Sequence, residues 1–327
     1  MMSFAEKSKE KKFKYFVLIT LTTVYLLILI GGIVRTTGSG MGCPDWPKCY
    51  GMWVPPTHIS QLPPDYKDRY RHLGHVADFN VTHTWIEYIN RLFGVLTGIF
   101  ILITFVLSLQ YKQDKNIKYY CAAVLVLVIL EGIIGKYVVS TNLKPLIISI
   151  HMWMAIAIIL LLVYVWCKLE QKVLLTSESQ NNISKMLPLL VTLFILTVIQ
   201  SLLGSNVRQH IDTISQKLNM QFRETWLDNV GSIYIVHRSF AWIVLLLHIY
   251  VAYKILSSQK FEPLRKAVYI LLAILVIELL LGLIMAWFSM PAFAQPIHML
   301  MATLLLSAQF YIINVLWFNK KIKLVQV

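Results

Sequence analysis

The chain has 327 residues, of which 57% are hydrophobic and only 14% charged, and its mean hydropathy is +0.64. That composition excludes an ordinary soluble domain and indicates an integral membrane protein. The net charge of +14 calls for no nucleic acid, because lysines facing anionic lipid account for most of it.

Eight apolar runs are long enough, at about 20 residues each, to cross a hydrocarbon core of about 30 Å. The first, 15–35, follows the basic segment KSKEKKFK. It is too long for a signal peptide and lacks a small-residue cleavage site, so it reads as a retained helix. A loop over 36–84 comes next, rich in Pro, His and aromatic residues, and carries the stretch GSGMGCPDWPKCYG at 38–51. Its length and composition suit a lid or docking surface. Spans at 85–109, 118–140 and 145–167 follow, then a polar segment 168–185, then spans at 186–207, 231–256, 266–288 and 294–318. A second sizeable loop, 208–230, separates the fifth span from the sixth. With the N-terminus in the cytoplasm, 18 of the 30 Lys and Arg fall in inner segments and ten in outer ones. The positive-inside bias therefore places both termini in the cytoplasm of a multi-pass protein of the cell inner membrane.

The chain also repeats itself. IHMWMA at 150–155 returns as IHMLMA at 297–302, an offset of 147 that also brings Glu131 onto Glu278, Gly135 onto Gly282, and EYINRLF (87–93) onto YIVHRSF (234–240). GGIVR (31–35) matches GSNVR (204–208) at an offset of 173, because the first long loop is 26 residues longer than its counterpart. The expected fold is all-α: eight transmembrane helices forming two pseudo-symmetric four-helix bundles, related as a parallel repeat. The N-terminal bundle takes 1–167, a cytoplasmic linker 168–185, and the C-terminal bundle 186–327.

Ionisable side chains inside a membrane are costly and mark sites. His151, His237 and His298 lie in the first turns of spans that start at one face; alone each would read as an interfacial histidine, but a duplicated, depth-matched pattern reads as ligation. His237 and His298 suit a pair of axial haem ligands. Arg35 and Arg208 end spans at the same level, and Arg91 and Arg238 sit one residue past the aligned Asn90 and His237; guanidinium forks suit haem propionates, with snorkelling as the alternative. Glu131 and Glu278 recur in both halves and read as interhelical hydrogen-bonding groups. Glu87 aligns with Tyr234, so it belongs to one half only, and shares a helix face with His83 and Asn90; it is the candidate for proton transfer. Cys43 and Cys49 can close a small ring through CPDWPKC, to brace the loop or to exchange electrons. A metal site there is less favoured, since no second cysteine pair accompanies them.

Taken together, GGIVRTTGSGMGCPDWPKC, the EYxxR of the second span, a histidine near the start of the fourth, sixth and eighth spans and the duplication resemble haem A synthase over nearly the whole chain. The resemblance implies oxidation of the C8 methyl group of haem O to a formyl group by two hydroxylations, the second giving a gem-diol that loses water. It implies haem b between His237 and His298, haem O held by His151, Glu87 in catalysis, and Cys43 and Cys49 as an outer-loop pair. Partners implied are a haem O synthase and a terminal oxidase or its assembly factors. The family pattern on the second span is Glu-x-x-His, and here the fourth residue is Asn90; His83 lies seven residues away, about 10 Å along the helix. His151 alone, with Asn90 offering a hydrogen bond, is the expected arrangement in the N-terminal bundle. A non-catalytic haem carrier or chaperone is the rival function, and a transporter built on parallel repeats is a third class that leaves the histidines unexplained.

Overall fold

The computed structural model describes residues 4–71, 78–174, 186–258 and 261–325. Residues 72–77 of the long loop and 175–185 of the linker lie outside the described residues. Among the described residues eight helices are long and apolar enough to cross a membrane: α1 (Phe4–Thr36), α2 (Val81–Ser108), α3 (Ile117–Ser140), α4 (Pro145–Leu169), α5 (Leu187–Lys217), α6 (Ser232–Ser258), α7 (Glu262–Trp287) and α8 (Ala294–Val325). This is a multi-pass membrane protein.

Some helices run past the apolar segments that announce them. The basic tail joins α1, where Lys14 pairs with Glu10 one turn back at 3.2 Å. Ten residues of the expected loop 208–230 are the last turns of α5. Val207, Ile211, Asp212 and Ser215 are buried there, a helical spacing that hydropathy averaged over a window does not register.

The described chain falls into two compact units, Met1–Leu161 and Leu162–Val327. In the first, α2 packs between α1 and α3, and Thr20 of α1 meets Thr104 of α2 at 2.7 Å between hydroxyls. Such small polar contacts hold helices together where lipid removes the hydrophobic drive. In the second, contacts run α5 to α6, α6 to α7, α7 to α8 and α8 back to α5, a closed ring of four. Its centre holds a polar network: the Nδ1–H of His248 donates to the Val244 carbonyl at 2.7 Å, and the Gln309 amide donates both to His248 Nε2 and to Thr197 Oγ1 at 2.9 Å. Thr197 in turn donates to the Leu193 carbonyl at 2.9 Å.

The long loop has a core of its own, formed by Cys43, Cys49, Tyr50, Leu62 and Tyr66. Cys43 and Cys49 are disulfide-bonded. The carboxylate of Asp45 ties the ring's turn by accepting from the backbone N–H groups of Tyr50 (2.6 Å) and Gly51 (2.9 Å). The Tyr50 ring sits edge-on to Tyr66, Tyr70 and Phe79 at 5.7–5.9 Å, and burial pushes its hydroxyl up to about 12.

Candidate functional site

The first unit builds its site where the loop meets α2. Asn80 caps α2, its side chain accepting from the His83 amide at 3.1 Å. This capping fixes the start of a helix whose next turns carry His83, Glu87, Asn90 and Arg91. Gly42 lies directly on that first turn: a Cβ there would stand 2.5 Å from the His83 carbonyl oxygen. The close approach lets the Cys43 N–H donate to Glu87 Oε2 at 2.9 Å and the Thr84 hydroxyl donate to the Gly42 carbonyl at 2.9 Å.

Glu87 is buried, 3% exposed, and ion-paired with Arg91 one turn on. Arg91 reaches past it to the disulfide ring, donating to the carbonyls of Asp45 (2.6 Å), Lys48 (3.0 Å) and Cys43 (3.0 Å). Its guanidinium thus grips the loop from within, a task suited to a rigid fork of five donors. Glu87, Arg91 and the cysteine pair form one assembly, with His83 at its margin. Arg35 is half-buried in the last turn of α1.

Two histidines are each backed by a carboxylate from the preceding helix. His151 Nδ1 lies against Glu131 Oε2, and His298 Nδ1 lies 3.1 Å from Glu278 Oε2 and 3.2 Å from the Glu278 carbonyl. A carboxylate on Nδ1 fixes the tautomer and presents Nε2, as metal-bound histidines require. His237 is placed through its backbone, whose carbonyl accepts from Gln200 at 3.0 Å, and its Nδ1 is buried with no protein partner.

Glycines give these side chains room. A Cβ at Gly135 would lie 3.7 Å from His151, at Gly282 3.8 Å from His298, at Gly204 3.0 Å from His237, and at Gly31 3.9 Å from the Oδ1 of Asn90. Each candidate ligand faces a glycine on an adjoining helix. That Asn90 Oδ1 is buried and has no partner.

Basic side chains in the second unit differ in their engagement. Arg208 Nε meets Asp212 at 2.9 Å, and Arg208 also donates to Gln295, whose amide donates to the Met290 carbonyl at 2.8 Å. Arg238 is exposed and lies over the Tyr234 ring at 5.6 Å. An apolar cluster of Val207, Ile211, Trp226, Val230 and Met290 closes this end of the unit.

Among the described residues no three His, Cys, Asp or Glu gather as a compact metal cluster would require. Single imidazoles with a carboxylate behind or a glycine beneath are instead a donor set that fits haem, which needs at most two axial ligands from the protein. Glu131 and Glu278 do bridge helices as expected; that their partners are the histidines was not read, though each precedes its histidine by the same 20 residues in both halves.

The chain matches the COX15-CtaA model, described as cytochrome oxidase assembly protein, over residues 14–310. It belongs to the COX15-CtaA family. Members similar to it include the Heme A synthase of Shewanella oneidensis, 25% identical over 81% of this chain and 84% of that protein. Those of Ehrlichia ruminantium strain Gardel (23%, 89% of each chain) and Orientia tsutsugamushi strain Ikeda (24%, 89% of this chain and 92% of that one) are similar over comparable lengths. This family is the one that the loop signature and the helix motifs resemble.

Proposed function

We propose that this chain is a haem A synthase, an oxidoreductase of the cell inner membrane that converts the C8 methyl group of haem O to a formyl group. The observation that carries the reading is the pair of carboxylate-backed histidines, Glu131 with His151 and Glu278 with His298, in a chain similar along most of its length to proteins named Heme A synthase. The N-terminal unit takes haem O as substrate on His151. His237 and His298 would hold haem b, which supplies a one-electron relay when bound.

With water as the oxygen source, each hydroxylation would break one C–H bond, form one C–O bond and release two protons and two electrons, the electrons leaving through the haem b relay to an external acceptor and the protons passing to groups of the chain. Glu87 accepts a proton at a carboxylate oxygen as the methyl group is oxidised, and Arg91 keeps that carboxylate in place between turnovers. The docked disulfide loop excludes water from the same spot. Arg35 in the last turn of α1, Arg208 within α5 rather than at its end, and Arg238 in the second turn of α6 would supply positive charge to propionates. Both termini face the cytoplasm, haem O arrives from the enzyme that farnesylates haem, and the product passes to a terminal oxidase or its assembly factors.

Co-expression with a haem O synthase in a host lacking haem A tests the reading: extracted haem should contain the formyl product. Recovery of haem O alone would sink it and leave a haem-binding carrier or chaperone, a reading favoured by the engagement of Glu87 with Arg91 and by Asn90. In the purified protein, His237→Ala or His298→Ala should remove the low-spin haem b spectrum. Loss of that spectrum in His151→Ala instead would reverse the assignment of the two units.

A further inference from the structure

We infer that Asn90 leaves the haem of the N-terminal unit with one protein ligand, His151, and with an open face that takes small exogenous ligands, whereas the haem of the C-terminal unit is closed on both faces. The inference rests on the haem reading above and deepens it.

Asn90 and His237 are presented alike. They coincide under the 147-residue offset, and each faces a glycine, Gly31 and Gly204, that coincides under the 173-residue offset. The two glycine contacts differ in tightness. At Gly204 a Cβ would stand 3.0 Å from the imidazole Cε1, so the ring fills its space; at Gly31 a Cβ would stand 3.9 Å from the amide oxygen.

The covalent chemistry supplies the reason for an open face. The Oδ1 and Nδ2 of asparagine stand where a histidine has Nδ1 and Cδ2, and nothing follows in place of Cε1 and Nε2. A haem held at the distance set by an imidazole on the opposite side is therefore out of bonding reach of Asn90. The buried, unpartnered Oδ1 of Asn90 is the kind of group that calls for an explanation. An amide lining a ligand space supplies one, since it can offer a hydrogen bond to a small molecule bound there.

Neighbours on α2 do not fill the gap. Glu87 is held by Arg91 and the Cys43 amide, and Arg91 by three loop carbonyls. His83 is about 10 Å away along the helix. The asymmetry suits the proposed division of labour: two strong axial ligands favour electron transfer, one leaves a face free.

The test uses the full chain in lipid nanodiscs, titrated with ferric haem b until both units are filled. Electron paramagnetic resonance should show one high-spin and one low-spin haem per chain. Carbon monoxide should bind one haem after reduction, and added imidazole, which supplies the ring that Asn90 lacks, should convert the high-spin haem to low spin. Asn90→His should abolish the high-spin signal and lower carbon monoxide affinity at least tenfold, Asn90→Ala should keep both, and His151→Ala should remove the haem that binds carbon monoxide. Two low-spin haems in the unmodified chain, or carbon monoxide binding that survives unchanged in Asn90→His, would overturn the inference. Formyl-haem yield is read separately: haem A formed by a chain with two low-spin haems overturns the open face and leaves the enzyme standing. A chain with one open haem and no haem A does the reverse.

Discussion

Gly42→Ala is the sharpest perturbation the structure offers. The new methyl carbon would meet the His83 carbonyl oxygen at 2.5 Å, the His83 carbonyl carbon at 2.6 Å and the Thr84 nitrogen at 2.8 Å, all backbone atoms of the first turn of α2. Ordinary carbon contacts lie at about 3.5–4.0 Å, so the loop must retreat by about 1 Å. That distance breaks the bonds from the Cys43 amide to Glu87 and from Thr84 to the Gly42 carbonyl, both 2.9 Å long. Overpacking costs about 1–3 kcal/mol, and loss of a buried hydrogen bond to a charged group about 1.5–3 kcal/mol. Because the retreat relieves the first at the expense of the second, the docking should weaken by about 3 kcal/mol, roughly a hundredfold. Hydrogen exchange of the peptide spanning residues 38–52, compared in nanodiscs with the disulfide intact, measures this directly. Exchange within twofold of the unmodified chain would refute the claim that Gly42 is required for docking, and with it the coupling of the loop to Glu87.

Gly204→Ala should displace His237 and lose the low-spin haem spectrum, while Gly282→Ala, with its 3.8 Å contact to His298, should keep it; equal spectra in the two would contradict the steric reading. Glu278→Gln should weaken haem retention in the C-terminal unit by about 10–100-fold, measured by transfer to apomyoglobin, with little effect on the other unit. The Tyr50 hydroxyl, pushed up to about 12 by burial, should stay protonated through pH 11 in an ultraviolet titration. Because its folded value is raised, the stability it adds to the loop is present in full below about pH 10 and lost as pH rises towards 12. Full turnover in the double variant Cys43→Ser, Cys49→Ser would leave the disulfide a bracing role alone.

The eight spans were legible because lipid imposes one strong rule, a run of apolar side chains as long as the bilayer is thick. The rule is silent about what happens beyond the bilayer, which is why α5 runs on to Lys217 past its last apolar run. The Cys43–Cys49 bond was legible from local spacing. The grip of Arg91 on the carbonyls of Cys43, Asp45 and Lys48 was not, because those residues lie 43 to 48 positions away in the chain and backbone carbonyls leave no mark in a sequence. Glu131 and Glu278 fall between these cases: their repetition was plain, but the identity of each partner required the helices to be placed side by side.

The network of Thr197, His248 and Gln309 bears on how eight similar helices find their neighbours. The same repeat offsets place Val24, Ile101 and Leu162 at the corresponding positions of the first half, and all three are buried. If α6 slid by one residue, it would turn by about 100° and carry His248 away from the Gln309 amide, leaving a buried polar pair parted at a cost of about 1–3 kcal/mol. One trio of polar groups is thus a mark that the second repeat carries and the first does not.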